Sequence, residues 1–332
     1  MRGLLVVNPH ATTTSPRVID VIVHAFSADI DLDVTFTTHR GHGHSLGERA
    51  RAEGMDVVVT LGGDGVINEV VNGMLDDGPG PDVPMLAPVP GGSANVVARS
   101  LGIPNDAVEA TGLLLEQLRD GVSRTIGVGR AEWEAAGTTE AGAQWLLANA
   151  GMGLDAEVID AMERHRAAGR SATPLRYLST TLSAFFRDTD RKEPSLTIRD
   201  ESPRRAPITW PSAEAGGAVV NDGFFAVIQN TSPWTFLGTR PINPCPKASF
   251  ETGLDMFALR RMHVPTALVA ATRMIRGTGS RDARGGLVTW HDRSTVSIHA
   301  IRPVPFQIDG ERIGPVCDVR FTAHPAALRV VC

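Results

Sequence analysis

Residues 57–73 read VVVTLGGDGVINEVVNG: an apolar run, a glycine turn holding one carboxylate, then helical spacing. At the carboxyl end of a buried strand, the N–H groups of a glycine turn and of the helix that follows converge on one point. That point attracts phosphate. Gly62, Gly63 and Gly65 let backbone approach an anion without Cβ clashes. Asp64 in an anion site then calls for a cation or a proton to handle. Mg²⁺ carried by a nucleotide would supply the first, and a substrate hydroxyl the second. The competing reading is a tight strand–helix turn with Asp64 as its cap.

A second loop repeats the arrangement. In PVPGGSANVVARSLGIP, residues 88–104, a strand end meets Pro90-Gly91-Gly92-Ser93 and a helix bearing Asn95 and Arg99. Two glycine loops at neighbouring strand ends make a cleft, as at a topological switch point. Ser93 can donate to a phosphate, and Asn95 can bridge the loops or cap its helix. A third pattern is Asp309-Gly310-Glu311, after the strand-like stretch 304–308. Gly310 permits a sharp turn that projects both carboxylates from one edge. Their repulsion would make one hold its proton more tightly, which suits a general base. Asp-Gly is equally the usual hairpin dipeptide. His39, His42 and His44 share a glycine-containing loop without regular ligand spacing, so a solvated loop is expected there rather than a metal.

The elements that must position these residues alternate in the first third of the chain. Strands are expected at 4–7, 32–38, 55–61 and 85–88. Helices are expected at 16–28, after Ser15 as cap, and at 45–53, 66–74 and 106–119. This is a parallel sheet with helices on both faces. Beyond 123 the pattern changes to strands at 125–128, 145–150, 196–199, 218–229 and 296–301, with helices at 155–166, 173–186 and 266–275. Segments 134–143 and 200–217 read as loops. The domains are therefore 1–124, an α/β domain onto which the tail 315–332 can pack back, and 125–314, a mainly antiparallel second domain. A net charge of -5 leaves no basic face for nucleic acid. Cys245, Cys317 and Cys332 are too few and too scattered for a disulfide framework or zinc site, which suits a cytoplasmic protein. No apolar run is long enough to span a membrane.

GGDG-x-x-NE followed by P-x-G-[ST]-x-N resembles the catalytic domain of the diacylglycerol kinase and sphingosine kinase family. ANAGMGLDAEVI at 148–159 and FQIDGERIG at 306–314 resemble its second-domain motifs. The resemblance implies an NAD kinase-like α/β domain that binds ATP with Mg²⁺, joined to a β-sandwich lipid domain. It implies nucleotide contacts from Asn8, Pro9, Thr12 and Thr37. It adds Gly62, Gly63, Gly65, Val66, Asn68, Glu69, Gly92, Ser93 and Asn95, with Asp64 meeting the metal through MgATP. Asp64, Asp309 and Glu311 are the catalytic carboxylates it implies. The implied reaction is phosphorylation of a hydroxyl of diacylglycerol or a related lipid by a cytoplasmic enzyme in peripheral contact with a membrane; a homodimer is open to it. Two departures stand out. Val66 occupies the place of the usual Thr, and Thr252 that of an Asp which holds a structural Mg²⁺ in many bacterial members. NAD kinase shares the GGDG turn, so a small-molecule kinase is one alternative, and a catalytically silent nucleotide or lipid binder is another.

Overall fold

The computed structural model describes residues 1–11, 15–135, 141–153, 195–203, 217–237, 239–260, 272–273 and 286–332. Thr12 and the expected helices 155–166 and 173–186 lie outside these residues, as does all of 266–275 except 272–273. The chain divides into two compact units, Met1–Val128 with Pro325–Cys332, and Gly129–His324.

In the first unit, β1 (Arg2–Val7), α1 (Pro16–Ser27), β2 (Asp31–Phe36), α2 (His42–Ala52), β3 (Val57–Gly62), α3 (Asp64–Met74) and β4 (Met85–Pro90) alternate; α4 (Val96–Ser100) and α5 (Ala107–Arg119) follow. Four strands pair in parallel in the order β2-β1-β3-β4. The tail adds Val330, paired in parallel with Leu86. Leu4, Leu5, Val6 and Val7 are fully buried, as are Val57, Val58 and Val59. Successive strand residues point to opposite faces, so a run buried throughout requires cover on both. That cover comes from α1 packed with α5, and α2 packed with α3. Local chemistry sets the helix ends: Ser15 Oγ accepts from Val18 N, and Asp106 accepts from Val108 N and Glu109 N. Because the strands are parallel, the four loops that leave their carboxyl ends, after Val7, Phe36, Gly62 and Pro90, emerge at one edge of the sheet.

α2 and α3 approach closely enough to exclude side chains. A Cβ on Gly47 would strike the Val70 carbonyl oxygen, and one on Gly73 the His44 carbonyl oxygen. Glycine at those two crossing points brings the backbones into contact and fixes the loop that precedes α2 against α3.

Beyond α5, β5 (Arg124–Ala135), β6 (Ala141–Leu146), β7 (Asn149–Met152), β8 (Leu196–Asp200), β9 (Val219–Gly223), β10 (Phe225–Gln229), β11 (Thr235–Leu237), β12 (Arg240–Ile242), β13 (Leu254–Leu259), β14 (Leu287–Arg293), β15 (Thr295–Ile308) and β16 (Glu311–Val330) follow. The second unit is antiparallel. β15 serves two sets of strands. Its start pairs with β8, and its end with β7, which leads through β10 and β13 to β14. The irregularity between His299 and Val304 lets one strand serve both. Ile198, Ile228, Met256, Trp290, Val296, Phe306 and Phe321 share one core drawn from both sets. The segment 134–143, expected as a loop, is strand at each end. β5 reaches Ala135 and pairs with β6 from Ala141, and the Trp133 ring lies against Gly142.

Candidate functional site

The two glycine loops meet backbone to backbone. Gly91 N donates to Gly62 O at 2.7 Å, continuing the β3–β4 ladder into the loops. A Cβ on Gly92 would stand 2.6 Å from Gly63 Cα, and one on Gly63 would stand 3.2 Å from Gly92 Cα. Neither glycine has a positive φ; the requirement is close approach. Gly65 lies in the first turn of α3, also without positive φ, so the left-handed reason for a glycine does not apply there. Gly63 caps α3 by position and brings no side chain, and no side-chain bond caps this helix. Its first-turn N–H groups therefore face the loop edge.

The carboxylates of α3 are directed elsewhere. Asp64 Oδ2 and Oδ1 accept from Val96 N and Val97 N, each at 2.9 Å. Asp64 thus caps α4, a helix whose own cap residue, Asn95, is left-handed (φ 49) and turned away. Burial pushes the Asp64 carboxyl above its ordinary range, opposed by the Val97 and Val96 N–H groups, by its own backbone N–H and by the charge of Arg99. Glu69 Oε1 accepts from Gly41 N at 2.8 Å and Oε2 from Gly43 N at 2.9 Å. These groups open α2, whose cap Gly41 (φ 84) has no side chain to offer. Asn95 does not bridge the loops. Its Oδ1 accepts from Gly92 N, and its Nδ2 donates to Gly92 O and Asn105 Oδ1, bracing one loop internally. Ser93 is exposed at the tip of that loop.

The remaining candidates of this unit surround the same edge. Asn8 N donates to Leu61 O at 2.9 Å, and Asn8 Oδ1 accepts from His10 N, an Asx turn that includes Pro9. Thr37 N donates to Val7 O at 2.8 Å. Asn68 is fully buried and Val66 is 7% exposed, with its Cγ1 where a Gly62 Cβ would be. A threonine hydroxyl at 66 would enter packed surroundings. The histidine loop is better ordered than its composition suggested. The His39 and His42 rings stack with centroids 5.0 Å apart, and Thr38 N donates to His42 Nδ1 at 3.1 Å. Glu69, whose bonds pin that loop, stands some thirty residues away in the chain, so no local pattern could reveal it.

In the second unit, Asp309 and Gly310 both have positive φ, 48 and 81, and form a two-residue hairpin between β15 and β16. The expectation that both carboxylates project from one edge fails. Asp309 is buried and its oxygens accept from Leu147, Ala148 and Asn149 N, each at 2.8 Å. It ties the β6–β7 connection to the hairpin. Glu311 is half-buried at the start of β16. The Thr252 hydroxyl donates to Ser249 O at 3.1 Å. Beside it in the chain, Asp255 is buried and paired with His291 Nδ1 at 2.7 Å.

A parallel sheet with helices, followed by an antiparallel strand-rich unit, is a fold found in solved kinase structures. A crystal structure of a diacylglycerol kinase from Bacillus anthracis aligns over 99% of this chain and 96% of its own, with TM-score 0.69 and 18% identity. Yeast NADH kinase complexed with NADH aligns over 100% of this chain and 83% of its own, with TM-score 0.53 and 10% identity. At these identities the likeness is one of fold. Residues 2–131 match the diacylglycerol kinase catalytic domain. Diacylglycerol kinases of Staphylococcus aureus are 35% identical over 97 residues, 29% of this chain and 30% of the relative. The match thus spans under a third of those relatives' length. Among the described residues, no helix is long and apolar enough to cross a membrane.

Proposed function

We propose that the protein is an ATP-dependent lipid kinase. The first unit binds MgATP at the glycine loops, and the second takes a hydroxylated lipid such as diacylglycerol. The observation that carries this reading is the state of the three helix N-termini around the loops. Those of α2 and α4 are capped by Glu69 and Asp64, while α3 has no side-chain cap. An N-terminus bears about half a positive charge, so the uncapped one is the seat for a phosphate. Gly63 and Gly92 let the two loops pack backbone to backbone beside that terminus.

In this reading the α3 amides hold the phosphates, with Gly62, Gly65, Ser93 and Asn95 shaping the loops and Asn8, Pro9, Thr12 and Thr37 bordering the nucleotide. Val66 and Asn68 support α3 from beneath. Among the described residues no three His, Cys, Asp or Glu side chains gather as a metal site. Mg²⁺ would be carried by ATP on its phosphates, where it would neutralise charge developing on the transferred group. Asp309 is committed to three N–H groups, so Glu311 is the carboxylate assigned to take the hydroxyl proton. The 1–124 and 125–314 division of labour belongs to the same proposal, as do a cytoplasmic site of action and peripheral contact with membrane.

The test is a side-by-side assay of diacylglycerol vesicles and NAD as acceptors with labelled ATP. A phosphorylated lipid is expected. Phosphorylation of NAD alone would replace the lipid reading, and ATP binding without transfer to either would favour a silent binder.

A further inference from the structure

We propose that Asp64 and Glu69 are positioning residues, and that α3 works as a clamp that holds the second glycine loop with one and the histidine loop with the other. The inference rests on the reading of the α3 N-terminus as the phosphate seat, and it assigns both acidic residues of the GGDG-x-x-NE motif a role short of touching reactants.

Three observations converge. Each carboxylate is bidentate, with each oxygen accepting one backbone N–H at 2.8–2.9 Å. Each pair of donors opens a helix that lacks a side-chain cap of its own. Both carboxylates leave the same helix, which crosses α2 with backbone contact at Gly47 and Gly73. The chemistry follows. A carboxylate that takes a substrate proton turns one acceptor oxygen into a hydroxyl, which is a donor. At Asp64 the lost negative charge would weaken the bonds from Val96 N–H and Val97 N–H, which an ionised carboxylate accepts more strongly than a neutral acid. Proton transfer to Asp64 therefore works against its own anchorage. The clamp also removes an electrostatic conflict: two carboxylates beside a phosphate seat repel a polyanion, and each is here matched to a partial positive helix terminus. What remains facing the edge is the N–H array of α3.

The experiment is amide hydrogen exchange on the full chain without nucleotide, joined to ATP calorimetry and steady-state kinetics. In the wild type, Val96, Val97, Gly41 and Gly43 amides should be protected, although first-turn amides ordinarily face solvent. Rapid exchange at all four would overturn the clamp without any variant having to fold. Asp64→Asn keeps the shape but offers an NH₂ to one donor. It should speed exchange at Val96 and Val97 by about tenfold or more and leave Gly41 and Gly43 unchanged; Glu69→Gln should do the reverse. Both should weaken ATP binding and raise its KM by about tenfold, while kcat at saturating ATP falls less and the pH–rate profile keeps its shape. An Asp64→Asn enzyme with unchanged amides and ATP affinity but kcat down by about a thousandfold would make Asp64 a catalytic residue and sink the proposal. If the wild type binds no ATP, the kinase reading fails, while the exchange pattern still decides whether the clamp exists.

Discussion

Asp309 and Glu311 stand two residues apart and face different fates. Asp309→Ala would leave the Leu147, Ala148 and Asn149 N–H groups without their acceptor in a buried site. An unsatisfied buried donor costs about 1–3 kcal/mol, so a loss of about 3–5 kcal/mol is expected after relaxation. Urea unfolding of the full chain measures it, and a loss under about 1 kcal/mol would contradict the assignment. For Glu311→Gln the expectation under the proposed function is the opposite split: kcat lower by orders of magnitude, ATP affinity by calorimetry retained, stability unmoved. Val66→Thr replaces a methyl in packed surroundings by a hydroxyl, and a stability loss of about 1–2 kcal/mol is expected with no gain in ATP affinity.

At the scale of elements, the glycines of the first unit sort by what they touch. A methyl on Gly73 meets the His44 carbonyl oxygen, and the α2–α3 crossing must open to admit it. Gly73→Ala should therefore cost about 3 kcal/mol or more, by overpacking. Gly54 ends α2 with φ 64 and has nothing within 4 Å of a Cβ, so Gly54→Ala carries only left-handed strain of about 1–2 kcal/mol. Thermal melts of the two variants should rank in that order. Gly92→Ala is different again, since the clash is with Gly63 Cα across the two loops. Spreading those loops should weaken ATP binding by about tenfold or more while the melting temperature stays near that of the wild type; equal loss in both would tie the pair to folding alone.

For the whole molecule, pH adds a check that only global unfolding reads. Burial holds the Cys245 thiol well above its ordinary 9.0, with the Asp255 charge adding to the effect. Above pH 9 the unfolded chain releases this proton and the folded chain keeps it, so the unfolded state binds fewer protons and stability falls as pH rises. Its contribution is fully present below the unfolded value and is lost above it, by up to about 1.4 kcal/mol per pH unit. Comparing urea midpoints of wild type and Cys245→Ala at pH 8 and pH 10 isolates the effect: the advantage of the wild type should shrink at the higher pH. A constant difference would show that the thiol ionises in the folded state as easily as in the unfolded one.

Much of the α/β unit was legible in the residues themselves. Runs such as VVVTL require burial on both faces, Ser15-Pro16 and Asp106 start helices, and glycine turns mark strand ends, because these are properties of local backbone and period. The hairpin at Asp309-Gly310 belongs to the same class. What the sequence could not decide is which partner each polar atom takes. Asp64 meets residues 32 and 33 positions away, Glu69 reaches back 26 and 28, and Asp309 caps amides 160 to 162 positions earlier. A carboxylate near a glycine turn looks the same in sequence whether it meets a metal, a proton or a helix terminus. Only the tertiary structure chooses, because the choice depends on which unpaired backbone groups the packing of α2, α3 and α4 brings within 3 Å.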